Sequence, residues 1–141
     1  IYSHMGGKLV VVVEISGASD LEGIAKEIAM HVAAENPDYL KAEEIPPHVL
    51  AREEEIARSQ VQGKPENIVE KIVAGKVEKY FTEMCLYEQP FVKEPEKTVQ
   101  DIVNAVIAQL GENMNVRRFA RFVLGEGIEK KEKDIAKEVA A

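Results

Sequence analysis

The chain has 141 residues, 45% of them hydrophobic and 30% charged, with a formal net charge of −7 and a pI near 5.1. That length fits one compact domain with room for a small appendage, and the acidity argues against non-specific affinity for nucleic acid or anionic membranes. A lone cysteine, Cys85, excludes an intrachain disulfide and suits a reducing compartment, and no apolar run approaches a membrane span.

The sequence starts at Ile1 rather than methionine, inside a β-prone run. We therefore expect a fragment, or a chain from which a preceding segment is missing. "IYSHMGGKLVVVVEIS" predicts a hairpin, because Gly6-Gly7 tolerates the positive φ of a tight turn. The nearly all β-branched run Leu9 to Ile15 predicts a strand that is covered on both faces or central in its sheet.

A helix follows from Ser19 to Pro37, with Ser19 and Glu22 as a capping box and Leu21, Ile24, Ala25, Ile28, Ala29 and Val32 on one face. From Glu43, Pro46-Pro47 opens a highly charged helix with a thin apolar stripe, and "GKP" at 63–65 ends it. Two further helices are expected, "ENIVEKIVAG" and a second one after Gly75 that carries Val77, Tyr80, Phe81 and Met84. "YEQPFVKEPEKT" reads as a proline-punctuated connection. Thr98 with Asp101 caps another helix, which Gly111 ends. A strand and a short charged helix complete the chain. The order β-β-α, helices, α-β-α gives an α+β fold, a small antiparallel sheet packed with helices.

Catalytic chemistry is poorly supplied. His4, His31 and His48 lack metal-ligand spacing. His31 lies on an apolar helix face and reads as a packed core histidine, and His48 as solvated. His4, beside the Gly-Gly turn, is either plain surface or a partner contact. Cys85 reads as a buried structural thiol. "GEGIEK" lacks both the third glycine of a dinucleotide fingerprint and the Lys-Ser/Thr of a P-loop. No catalytic, cofactor or metal residue is assigned.

"NVRRFARFVLGEGIEKKE" (115–132) concentrates three arginines in an acidic chain. On a regular strand Val116, Ala120, Phe122 and Leu124 share one face, with Arg118 among them, and Arg117, Phe119, Arg121 and Val123 share the other. Cations divided between faces track a phosphate backbone poorly, so nucleic-acid binding is set aside. The bland reading is a strand whose arginine stems cover apolar surface.

Taken together, "EIAMHVAA", "AEEIPPHVLAREEEIA", "GKPENIVEKIVAGKVEKYFTE", "LYEQPFVKEPEKTVQDIV", "LGENMNVRRFARFVLGEGIEKKEKD" and "AKEVAA" strongly resemble the translation elongation factor Ts family, in the family's order and over nearly the whole chain. The resemblance implies a guanine-nucleotide exchange factor for elongation factor Tu, acting by differential binding without cofactor or covalent chemistry. It divides the chain into 1–42, the first part of an α+β core; 43–86, an inserted helical dimerisation module; 87–125, the second part of the core; and 126–141, a C-terminal helix. The implied location is the bacterial cytoplasm, or a plastid or mitochondrion.

One departure matters. The family's exchange motif, Thr-Asp-Phe-Val-Ala-Arg-Asn, usually follows a core strand. Here Leu9 to Ile15 leads to "SGASDLEGIAKEIA", with Asp20 near the place and the rest missing. The gapped form resembles the second of two related core halves in longer members, so the wedge that disturbs the magnesium site of Tu would lie in a missing first half. The resemblance therefore carries partner contacts only: His4, Met5 and Gly6 in the docking hairpin, and Gly127, Ile128 and Lys130 leading to the C-terminal helix. A homodimer through the helical module or the sheet is also expected. The alternative is a family-derived structural or ribosome-associated protein without exchange activity.

Overall fold

The computed structural model describes residues 1–17 and 19–128. β1 (Tyr2–His4) and β2 (Leu9–Gly17) form the expected hairpin, with Tyr2 opposite Val11 and His4 opposite Leu9. β5 (Met114–Val123) pairs antiparallel with the other edge of β2, giving the order β1-β2-β5. The β-branched strand is thus the central one, which satisfies its backbone on both edges.

One face of this sheet is covered by α1 (Glu22–Glu35) and α4 (Val99–Leu110). Val11 from β2, Ile28 and Val32 from α1, Val99 and Val103 from α4, and Met114 and Val116 from β5 are all buried in one core with Leu86 and Tyr87. These α1 and α4 residues recur at three- or four-residue spacing, so each helix presents one apolar stripe to the sheet. Thr98 and Asp101 form the expected capping box, and Gly111 closes α4 in the left-handed conformation at φ +68°.

The helical insertion is a hairpin of α2 (Pro47–Ser59) and α3 (Glu66–Met84). Pro47 occupies the first turn of α2, where its missing N–H is harmless. Residues 38–40 run beside the end of α3: Leu86 N–H donates to Tyr39 O at 2.8 Å and Tyr87 N–H to Leu40 O at 3.1 Å. Those bonds tie the hairpin's base to the core.

Four local expectations are corrected. α3 runs unbroken through Gly75, in place of two helices. A helical glycine costs only about 1 kcal/mol relative to alanine, less than is gained by packing Val73, Val77 and Phe81 along a single stripe. Ser19 does not cap α1. Asp20, at φ +59°, turns the chain so that Glu22 is the first helical residue, and Ser19 N–H instead donates to Glu112 Oε2 at 3.2 Å. The connection after α3 contains a short hairpin, β3 (Pro90–Phe91) and β4 (Glu94–Thr98), which its prolines concealed. Lastly, Ile15 pairs with Val116 but Glu14 with Arg118, so Arg117 is a bulge residue in β5. The bulge inverts the alternation. Val116 faces the core, whereas Ala120 and Phe122 face outward with Arg118, and Phe119 packs inward.

Candidate protein-binding site

The β1–β2 hairpin ends in an unusual loop. Met5, Gly6 and Gly7 all have positive φ, at +51°, +66° and +88°. Glycine accepts this freely, but a methionine there bears a steric cost of about 1–2 kcal/mol. Met5 is nonetheless 66% exposed, so burial of its side chain does not offset the cost within this chain. His4 is exposed at the root of the loop, with its ring stacked on Tyr2 and its Nδ1 3.0 Å from the Tyr2 hydroxyl.

The pairing of β2 with β5 brings the second group of expected residues to the same end of the sheet. Leu9 lies opposite Val123, and Leu124 N–H donates to Lys8 O at 2.8 Å. The chain then turns at Gly125–Ile128, with Glu126 N–H donating to Val123 O at 3.0 Å and Gly127 at φ +75°. His4, Met5, Gly6, Gly127 and Ile128 are therefore gathered at one sheet end, while Lys130 lies outside the described residues. Sequence reasoning missed Phe122 and Leu124. With Met5 they form an exposed apolar group at this end, at 59% and 74% accessible, and Ile128 adds another 73%. The signal available was the apolar run Phe122-Val123-Leu124, which carries on through the end of β5.

The three arginines have separate duties. On the outer sheet face Arg118 Nε hydrogen-bonds Glu14 Oε2, and Arg117 Nη1 lies 3.4 Å from Glu14 Oε1. The Arg118 hydrogen bond, aided by the charges of both guanidinium groups, holds the Glu14 carboxyl below its ordinary range. Arg121 crosses to the inner side, where its Nη2 donates to Ala33 O at 3.3 Å in the last turn of α1. A cation there complements the negative end of the helix dipole. These contacts brace the sheet and engage all three arginines of the 115–132 stretch.

Below this end lies a small polar relay. His31 is fully buried and stacks on Phe91. Its Nε2–H donates to Gln89 Oε1 at 2.9 Å, and its Nδ1 accepts from Val92 N–H at 3.1 Å. Gln89 in turn donates from Nε2 to Glu83 O at 2.8 Å. Burial lowers the His31 pKa, so the ring is neutral and structural, as its place on an apolar face suggested.

Cys85 is buried at the end of α3, and burial pushes its thiol up to about 11, with the carboxylates of Glu88, Glu43 and Glu44 adding to the shift. At pH 8 the native thiol should alkylate roughly a hundredfold more slowly than a free cysteine, because so little thiolate is present. Timed iodoacetamide labelling read by mass spectrometry checks this; labelling at the free-thiol rate would contradict the burial. Among the described residues, no group of three or more His, Cys, Asp or Glu side chains is placed to hold a metal ion, and no helix is long and apolar enough to cross a membrane.

The architecture is that of an α+β protein with a helical-hairpin insertion, and four of its exposed apolar side chains, Met5, Phe122, Leu124 and Ile128, lie at one end of the sheet. A family model described as "Elongation factor TS" matches residues 1–126. Proteins named elongation factor Ts from Geobacter sulfurreducens and Geotalea daltonii are 53% and 51% identical over 149 residues, covering 99% of this chain and 69% of each relative. The protein of that name from Anaeromyxobacter dehalogenans is 51% identical over 148 residues, covering 68% of its length. The chain belongs to the elongation factor Ts family, and is thus a translation elongation factor. The alignments run longer than the 141 residues present, so within the matched region this chain is shorter than these relatives.

Proposed function

We propose that this protein docks on elongation factor Tu through the hairpin end of its sheet and does not by itself accelerate nucleotide release. The match to the Ts family over residues 1–126 carries the reading. Two features of the chain support it. Met5 is held at a conformational cost in full view of solvent, which suits a side chain that completes its burial against a partner. Between the end of β2 at Gly17 and the start of α1 at Glu22 the sequence carries Asp20 but not the Asp-Phe pair of the family's exchange motif.

Exchange of this kind is differential binding. A factor releases GDP only to the extent that it binds the nucleotide-free form of Tu more tightly than the GDP-bound form. A chain that keeps the docking loop and lacks the wedge retains binding energy common to both forms and loses the part that distinguishes them. The same surface suits the alternative of a family-derived binding protein without exchange activity, and the two readings converge on docking. Its place of action would be the cytoplasm of a bacterium, since the relatives named above come from bacteria.

A homodimer is the second assembly we infer. The outer sheet face, with Val12 and Phe122 exposed beside the Glu14–Arg118 pair, is the more apolar of the two surfaces expected to serve it.

Binding to Tu is tested with Met5→Glu, which sits at an exposed loop tip. The wild-type chain should bind Tu saturably in calorimetry, and the variant at least about tenfold more weakly. Equal affinity for both would remove the hairpin from the interface.

A further inference from the structure

The α2–α3 hairpin carries a groove that the docking reading does not use. It has a volume of about 610 Å³, and its floor is the stripe Val73, Val77 and Phe81 on α3. These residues lie four apart, so they line one face over roughly 12 Å of helix. Val73 is buried, while Val77 and Phe81 are half-buried and accessible from the groove. The rim is acidic: Glu54 from α2, Glu78 from α3, and Glu88 beyond it. Arg58 is the one cation lining the groove among the described residues, and it is already engaged by Glu70 at 2.8 Å. No described cation pairs with Glu54, Glu78 or Glu88.

We propose that this groove receives a basic amphipathic helix from another protein. An apolar floor about two helical turns long, between carboxylate rims, fits the helix-in-groove mode: apolar anchors at i, i+4 and i+8, with flanking lysines or arginines over the glutamates. Charge decides among occupants. Two copies of this chain meeting groove to groove would set glutamates against glutamates. Nucleic acid and anionic lipid would be repelled by the same rim. A basic helix gains from both the floor and the rim. The site lies on the helical insertion, apart from the sheet end assigned to Tu, so its occupancy stands or falls independently of that assignment.

The test uses the whole chain and a synthetic peptide of about four helical turns, with leucines at i, i+4 and i+8 and lysines beside them. Controls are a scrambled peptide of the same composition and a glutamate-for-lysine counterpart. Binding is followed by fluorescence anisotropy at low and high salt. The proposal expects salt-sensitive binding of the amphipathic basic peptide alone, weakened roughly tenfold by Glu54→Lys with Glu78→Lys. Glu78 is exposed and Glu54 half-buried, and neither lies in the core, so circular dichroism should show the variant folded. A second readout is protection of Phe81 contacts, seen as a peptide-dependent shift of its ring signals in NMR. Equal binding of the scrambled peptide, binding indifferent to the charge reversal, or no binding would each overturn the proposal. So would self-association of the chain that the charge reversal strengthens, which would make a second copy the occupant.

Discussion

Gly17→Ala is expected to destabilise the protein by about 3 kcal/mol or more, lowering its melting temperature by roughly 10 °C. Gly17 ends β2 opposite Met114, with φ at +120°, outside the left-handed basin that asparagine or aspartate tolerate. A Cβ built there would lie 2.0 Å from the backbone oxygen of Asn113. That neighbour is main chain, so a rotamer change offers no relief, and the strands must part where β2 turns toward α1. Gly6→Ala is the matched control. Gly6 also has positive φ, at +66°, but its Cβ would meet nothing within 4 Å. It should cost only the local penalty of about 1–2 kcal/mol. Thermal melts of both variants check the pair, and equal losses would show that conformational preference, not the close strand approach, dominates at Gly17.

His31→Leu is expected to be the second large loss, about 3 kcal/mol, despite conserving an apolar-compatible shape. It leaves the buried Gln89 Oε1 without its partner, at a cost of about 1–3 kcal/mol, removes the part-buried bond from Val92 N–H, and loses the stacking of the ring on Phe91. His31 also sets a pH dependence. Its folded pKa lies below the ordinary value of 6.5, so on acidification the unfolded chain takes up this proton first. Stability contributed by the neutral ring is full above that value and falls as the pH drops below it toward the folded pKa. Chemical denaturation between pH 7.5 and 5 should show stability declining in the wild type and a shallower decline in His31→Leu. Identical slopes would mean that other groups carry the acid sensitivity.

The parts of the fold that depend on a steady period were readable in advance. The β1–β2 hairpin shows in Gly6-Gly7, the central strand in its β-branched run, α1 and α4 in their helical spacing and the Thr98–Asp101 cap, and the strand beginning near Val116 in its alternation. What escaped reading were interruptions of period. A bulge at Arg117 leaves no compositional mark, yet it moved Ala120 and Phe122 to the opposite face from Val116. Gly75 looked like a breaker because local propensity ignores the stripe that Val73, Val77 and Phe81 bury together. Ser19 looked like a cap because spacing alone cannot foresee the positive φ of Asp20.

The candidate site shows the same division. His4, Met5 and Gly6 were legible as an exposed turn, and Gly127 and Ile128 as a turn of their own. Their common location is set by the long-range pairing of β2 with β5, which no local signal contains. Phe122 and Leu124 join them only because the bulge and the strand end fix which way they face. The groove on α2 and α3 was invisible for another reason: it requires the two helices to be placed side by side, and a thin apolar stripe says only that a helix has a neighbour.

The most direct test of the proposed function is stopped-flow release of a fluorescent GDP analogue from elongation factor Tu, with this chain titrated in and binding followed in parallel. Saturable binding with release at the unassisted rate is the predicted result, because the sequence after β2 lacks the Asp-Phe pair of the family's exchange motif. Release that accelerates with chain concentration would contradict it, and would mean that the hairpin end of the sheet opens the nucleotide site by itself.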